Sequence, residues 1–84
     1  MNYTARITVM PLKDLLDPQG KAVLGGLQSL GFSGIADVRI GKQIDLSLEA
    51  SGEEEAQALA SQAAKQLLAN PVMEQFQVTI LPGN

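Results

Sequence analysis

Two cations bracket a flexible backbone point at Arg39-Ile40-Gly41-Lys42, in a chain of net charge −3. Such a group can pair along a strand with Asp37 or Asp45, or it can face an anion or a partner's carboxylate. A second stretch, Asp17-Pro18-Gln19-Gly20, offers a carboxylate able to accept from the free N–H groups that open a helix. Gln19 and Gly20 then sit at a helix N-terminus, where the backbone favours an anion or an acidic side chain. Elsewhere the residue types withhold catalysis. The 84 residues include no His and no Cys. That removes the commonest general base, the thiol nucleophile, any disulfide, and the ligands that zinc and most transition metals require. The hydroxyls of Ser29, Ser33, Ser47, Ser51, Ser61, Thr4, Thr8 and Thr79 have no activating neighbour in sequence. Asp37 and Asp45 share odd parity and read as a solvated strand face rather than an acid pair. No EF-hand spacing of carboxylates and no phosphate-loop spacing of glycines is present.

Net negative charge argues against nucleic acid and against an anionic membrane surface. One Tyr, two Phe and no Trp supply no stacking platform for single strands. No apolar run approaches the ~20 residues of a membrane span. The opening Met1-Asn2-Tyr3-Thr4-Ala5-Arg6 shows no signal-peptide core, so the cytoplasm is the expected compartment.

The elements that must position these residues follow from periodicity. Residues 3–10 alternate, with Tyr3, Ala5, Ile7 and Val9 on one side, which predicts a strand ending at Pro11. Asp17 as cap and Pro18 at the first helical position start a helix whose face carries Val23, Leu24, Leu27 and Leu30. Gly31 stops it in a left-handed conformation, with Phe32 packing back on Leu27. Gly25 and Gly26 lie mid-helix, at about 1 kcal/mol each relative to Ala. Either tertiary packing tolerates them or another backbone approaches there.

Val38, Ile40, Ile44, Leu46 and Leu48 keep even parity through Gly41-Lys42-Gln43. A two-residue turn at Gly41-Lys42 would mix apolar and polar residues on one face. That leaves a three-residue loop at 41–43 pairing Ile40 with Ile44, or one long strand bent at Gly41. The second is favoured; residues 37–49 would then span roughly 43 Å, with Lys42 on the parity of the apolar face. Ser51 and Glu54 have capping-box spacing, and Glu53, Glu54 and Glu55 suit the first turn of a second helix. Its expected buried stripe is Ala56, Leu59, Ala60, Ala63, Leu67 and Leu68, and Pro71 is expected to stop it. Residues 71–74 can add a turn. Phe76, Val78 and Ile80 predict a last strand, with 81–84 as a tail.

The order β-α-β-α-β, with a long bent or split middle strand, predicts one α+β domain over residues 1–84. The expected form is a two-layer sandwich: a mostly antiparallel sheet, both helices on one face, and an opposite face apolar enough to seek a partner. A chain this short buries only about 60–65% of its unfolded surface. With disulfides and metals removed, a homo-oligomer, dimer or tetramer, is the expected remedy.

Three segments, in order and spacing, are Leu16-Asp17-Pro18-Gln19-Gly20, Asp37-Val38-Arg39-Ile40-Gly41-Lys42 and Leu67-Leu68-Ala69-Asn70-Pro71-Val72. Together they resemble the PurS family, the small subunit of phosphoribosylformylglycinamidine synthase in purine synthesis. The resemblance implies a non-catalytic subunit that bridges two others. A large synthetase subunit uses ATP and magnesium to activate formylglycinamide ribonucleotide. A glutaminase subunit releases ammonia from glutamine. The small subunit itself is expected to bind no cofactor and no metal. Asp17, Gln19, Gly20, Arg39, Gly41 and Lys42 are the residues expected to contact those partners. Two other classes compete. One is a regulatory module binding a small molecule near Gly31 to Gly34. The other is an acylphosphatase-type enzyme, for which Pro11-Leu12-Lys13-Asp14 lacks the required Arg and glycine cradle.

Overall fold

The computed structural model describes residues 1–70 and 72–83. Strand β1 runs Asn2–Pro11, helix α1 Pro18–Ser29, strand β2 Lys42–Glu49, helix α2 Glu53–Ala63 and strand β3 Glu74–Pro82. One turn of π-helix, Ala64–Leu68, extends α2. The sheet order is β2-β1-β3 and both pairings are antiparallel. The α+β class and antiparallel sheet therefore agree with the sequence.

β1 is central, and its alternating apolar residues are the most deeply buried of the three strands. Tyr3, Ala5, Ile7 and Val9 are buried, while Arg6 and Thr8 are exposed. Register places Ile7 beside Ile44 and Val78, and Ala5 beside Leu46 and Ile80. α2 closes this face with Ala56, Ala60 and Ala64, each fully buried. Side chains this small let the helix axis lie close to the sheet. The resulting core is thin: Ile7 and Val9 are the largest fully buried side chains among the described residues. Burial of each contributes about 1.5–3 kcal/mol.

Several expectations need correction. The open sheet face is polar, carrying Thr4, Arg6, Thr8, Gln43, Asp45, Ser47, Gln77 and Thr79. Arg6 and Asp45, directly opposite each other, form an exposed ion pair with Nε to Oδ1 at 3.1 Å. Met10 and Leu81 are the apolar residues of that face among the described residues, one near each end, so it offers a partner little apolar surface. Within the single chain only α2 covers the sheet. α2 packs on all three strands, whereas α1 makes no sizeable contact with the sheet. α1 is amphipathic, yet a single chain offers its apolar side no cover. Val23, Leu30 and Phe32 are exposed, and Leu24 and Leu27 only half-buried.

The middle strand is neither a hairpin nor thirteen residues long. β2 begins at Lys42, and residues 36–41 reach it as irregular backbone. Gly41 lies against the Val9 carbonyl and the Met10 sulfur, a place with no room for a Cβ. Lys42, opposite Val9, keeps the parity of the apolar face as expected, and it is exposed at the strand's start.

α2 starts one residue later than the capping box implies. Its N-cap is Gly52, with no side-chain cap, and Ser51 instead pairs with Glu55 through N (3.2 Å) and Oγ (3.0 Å). The pairing of Ala50 N–H with the Met1 carbonyl, at 3.0 Å, holds Ala50 at the strand end and delays the helix. The three glutamates still fill the first turn. The expected stop at Pro71 lies outside the described residues. The tail is not a tail as far as Gly83: β3 runs to Pro82, and Gly83 N–H donates to the Asn2 carbonyl at 2.9 Å.

α1 ends as its sequence predicts. Gly31 has φ 96°, Gly31 N–H donates to Gln28 and Phe32 N–H to Leu27. Those two bonds make a Schellman motif.

Candidate functional site

The site forms where the end of β1, the start of α1 and the irregular 36–41 segment meet. Asp17 organises it. One carboxylate oxygen accepts from Gly20 N–H at 3.0 Å and caps α1. The other accepts from Ile40 N–H at 2.8 Å, across 23 residues of sequence. A single side chain thus ties the helix start to the entry of β2. These N–H groups, Ile40's foremost and then Gly20's, hold the Asp17 carboxyl below the usual carboxylate range; the Arg39 charge adds to the effect.

Gly20 is the buried residue of α1, because its backbone lies against the Val38 carbonyl and the Asp17 carboxylate. Any side chain there would displace the 36–41 segment. Asp37 fixes that segment locally by accepting from Val38 N–H at 2.9 Å. Arg39 is carried on it. Its guanidinium donates to the Pro11 carbonyl at the end of β1. Its Nε is buried and has no acceptor. A buried donor left without an acceptor costs about 1–3 kcal/mol, more on a charged group.

Between these parts opens a cleft of about 360 Å³. Lys13, Lys21 and Arg39 line it together with Asp14, Asp17 and Asp37, and Leu15 and Leu16 form an apolar wall. Both leucines also border a second hollow, of about 270 Å³, floored by Pro11, Met73 and Glu74. The two cavities therefore share a wall, with charges of both signs on one side of it and a mainly apolar lining on the other. A cavity of about 430 Å³ at the far end of the sheet is lined by neutral groups and Glu49, with no cation.

Of the six residues expected to meet partners, Asp17 and Arg39 line this cleft, Gly20 packs behind it against Val38 and Asp17, and Gln19, next to Gly20 in the first turn of α1, is not part of the lining. Gly41 and Lys42 lie just beyond it, where β2 begins. Sequence reasoning missed Lys13, Lys21, Leu15 and Leu16. For Lys21 a signal existed: it stands one helical turn after Asp17, and its N–H donates to the Asp17 carbonyl at 3.0 Å.

The arrangement brings three cations and three carboxylates to one concave surface. Ser51 donates to the Glu55 carboxylate, but the pair is exposed and lacks a third group to orient it. Among the described residues there is no group of three or more Asp or Glu that could hold a metal ion. No described helix is long and apolar enough to cross a membrane.

Comparison with known proteins matches residues 4–82 to the family model PurS, phosphoribosylformylglycinamidine (FGAM) synthase. A Synechocystis protein described as phosphoribosylformylglycinamidine synthase subunit PurS is 46% identical, over 98% of this chain and 84% of its own length. The Thermus thermophilus PurS structure superposes with a TM-score of 0.85 at 36% identity, covering 100% of both chains. A chain in the structure of PurLQS from Thermotoga maritima superposes with a TM-score of 0.88 at 30% identity. That match covers 96% of this chain and 99% of that one.

Proposed function

The chain belongs to the PurS family, and from that premise we propose that it is the non-catalytic small subunit of a phosphoribosylformylglycinamidine synthase complex. In this reading it docks to an ATP-dependent synthetase subunit and to a glutaminase subunit. It holds them so that ammonia released from glutamine reaches formylglycinamide ribonucleotide before water protonates it. ATP and magnesium belong to the synthetase subunit, and this chain holds no cofactor. The observation that carries the reading is the near end-to-end match to a chain of PurLQS.

The geometry supports a docking role. Apolar side chains lie open on α1, at Leu15 and Leu16, and at Val72 and Met73. The same surplus supports a homo-oligomer, dimer or tetramer, with α1 covered by another copy. The rival regulatory module loses support, because Gly31 and Gly34 face open space and border none of the cavities described above.

The deciding experiment is amidation of formylglycinamide ribonucleotide by the two large subunits, with and without this chain, using either glutamine or an ammonium salt. Glutamine-dependent turnover is expected to require the chain, and ammonium-dependent turnover to be indifferent to it. Equal glutamine-dependent rates in its absence would remove the coupling role.

A further inference from the structure

The two edges of the sheet are not alike. β2 carries Lys42, Asp45 and Glu49, and such charges discourage a further strand. β3 carries no charge from Gln75 to Leu81, and its register against β1 runs unbroken with no bulge. An uncharged edge of that length is a template for another strand. The ladder shows which backbone groups it offers. Gly83 N–H donates to the Asn2 carbonyl and Leu12 N–H to the Met73 carbonyl, so the odd-numbered residues of this strand bond to β1. Phe76, Val78 and Ile80 therefore turn their N–H and C=O groups outward, where the sheet has no further strand. The side chains of the same three residues belong to the core face, yet they stay only half-buried.

The pattern of β3 selects the occupant. Set antiparallel to itself over its full length, the strand has Val78 on a two-fold axis. Phe76 then meets Ile80 of the second copy, Gln77 meets Thr79, and Glu74 meets Pro82. Apolar side chains stay on one face, and Gln75 against Leu81 is the one mixed pair on the other. Glu74, the strand's single charge, does not meet its own copy. The three residues with outward backbone groups oppose one another, so each free N–H finds a C=O. α2 obeys the same symmetry. It starts beside Ile80, where Glu53 and Glu54 stand, and its later alanines pack in the cluster of Ile7, Val9 and Phe76. The two-fold axis sets that acidic first turn toward the end of the second helix that carries Lys65, not toward another acidic turn.

We infer that the outer edge of β3 is a self-association surface, on which a second copy of this chain adds its own β3 about a two-fold axis at Val78 to make one continuous antiparallel sheet. This rests on the homo-oligomer reading and deepens it, because α1 is an apolar surface and the β3 edge is a separate, hydrogen-bonding one.

The test uses two double variants of the full chain, Gln77→Lys/Thr79→Lys and Gln77→Glu/Thr79→Glu, which alter only exposed side chains on the open polar face. Residue 77 of one copy opposes residue 79 of the other. Each variant alone thus sets like charges across the edge, and a mixture of the two sets opposite ones. In sedimentation each variant alone is expected to self-associate about tenfold more weakly than wild type, and the equimolar mixture to recover wild-type association. Circular dichroism confirms folding of each. Amide exchange gives a second readout. In associated wild type the N–H groups of Phe76, Val78 and Ile80 are expected to be protected, and in either variant alone to exchange fast, while those of residues 75, 77 and 79 stay slow in both. If both variants associate like wild type, or if Phe76, Val78 and Ile80 exchange fast in the oligomer, the edge assignment is overturned. The homo-oligomer reading then stands on α1, provided that Leu30→Glu/Phe32→Glu lowers the mass. If the variants weaken association and the mixture does not recover it, the Val78-centred pairing is overturned. If wild type itself is a monomer, both readings fall.

Discussion

At the scale of single residues, Asp17 has the largest structural reach. Its two oxygens join α1 to the entry of β2, and both bonds require an acceptor. Because its folded-state pKa is depressed, the charged form adds stability above the ordinary carboxylate range. That contribution is lost as pH falls through the folded value. Asp45, held low by Arg6, acts in the same direction. Asp17→Asn retains one acceptor and loses the other. Its melting temperature at neutral pH is expected to fall on the order of 5 °C. As pH falls through the depressed folded value of Asp17, the gap between wild type and variant should narrow in calorimetry. A gap that stays the same throughout acid titration would mean that the carboxylate's charge contributes nothing there. The capping half of this role is legible in sequence, because Asp-Pro before a helix is a local signal. The Ile40 half is not, since it depends on a contact 23 residues away that no periodicity encodes. Lys13 and Lys21 were hidden for the same reason: a cleft exists only once three separate segments meet.

At the scale of elements, strand parity and the caps of α1 read well, while the cap of α2 and the helical stripes read poorly. The odd face of β1, the Asp17–Pro18 start and the Gly31 stop all follow from short-range rules. Beyond Ala63 the stripe of α2 fails at Leu67, though Leu68 packs partly buried against the core as expected, because the stripe assumes 3.6 residues per turn. Ala69 N–H donates to the Ala64 carbonyl at 2.9 Å, five residues back, and this wide turn rotates everything beyond it. Leu67, expected in the core, is 84% exposed, while Ala64 and Ala69 are buried in its place. Leu59 is also exposed, displaced by the alanines on either side. An alanine contact between helix and sheet leaves no space for growth. Ala60→Leu is therefore expected to destabilise by about 1–3 kcal/mol, seen as a lower urea midpoint at unchanged slope. An unchanged midpoint would show that α2 sits farther from Ile7 and Val9 than the packing implies.

The whole molecule is elongated. Its extents are 50 × 28 × 14 Å and its radius of gyration is 16.3 Å, against about 12 Å for a compact domain of this length. Its accessible surface of 5948 Å² exceeds the roughly 4,800 Å² usual for this mass by about 1,100 Å². One partner in a standard interface covers about 800 Å². The surplus is thus of the size that a partner chain removes. Sedimentation at micromolar concentration is expected to show a dimer or tetramer, and Leu30→Glu with Phe32→Glu to lower its mass. A single monomeric species of wild type would assign the surplus wholly to unlike partners. Sequence length foretold the need for cover. It could not place that cover, since the apolar open sheet face it suggested is polar and the uncovered surface is on α1. A 14 Å slab also has consequences for supply. Whatever covers this chain stabilises it by mass action, so copies made in excess of their partners are the ones that open and reach the proteases. Its abundance is then governed by the stoichiometry of the assembly more than by the rate at which it is translated.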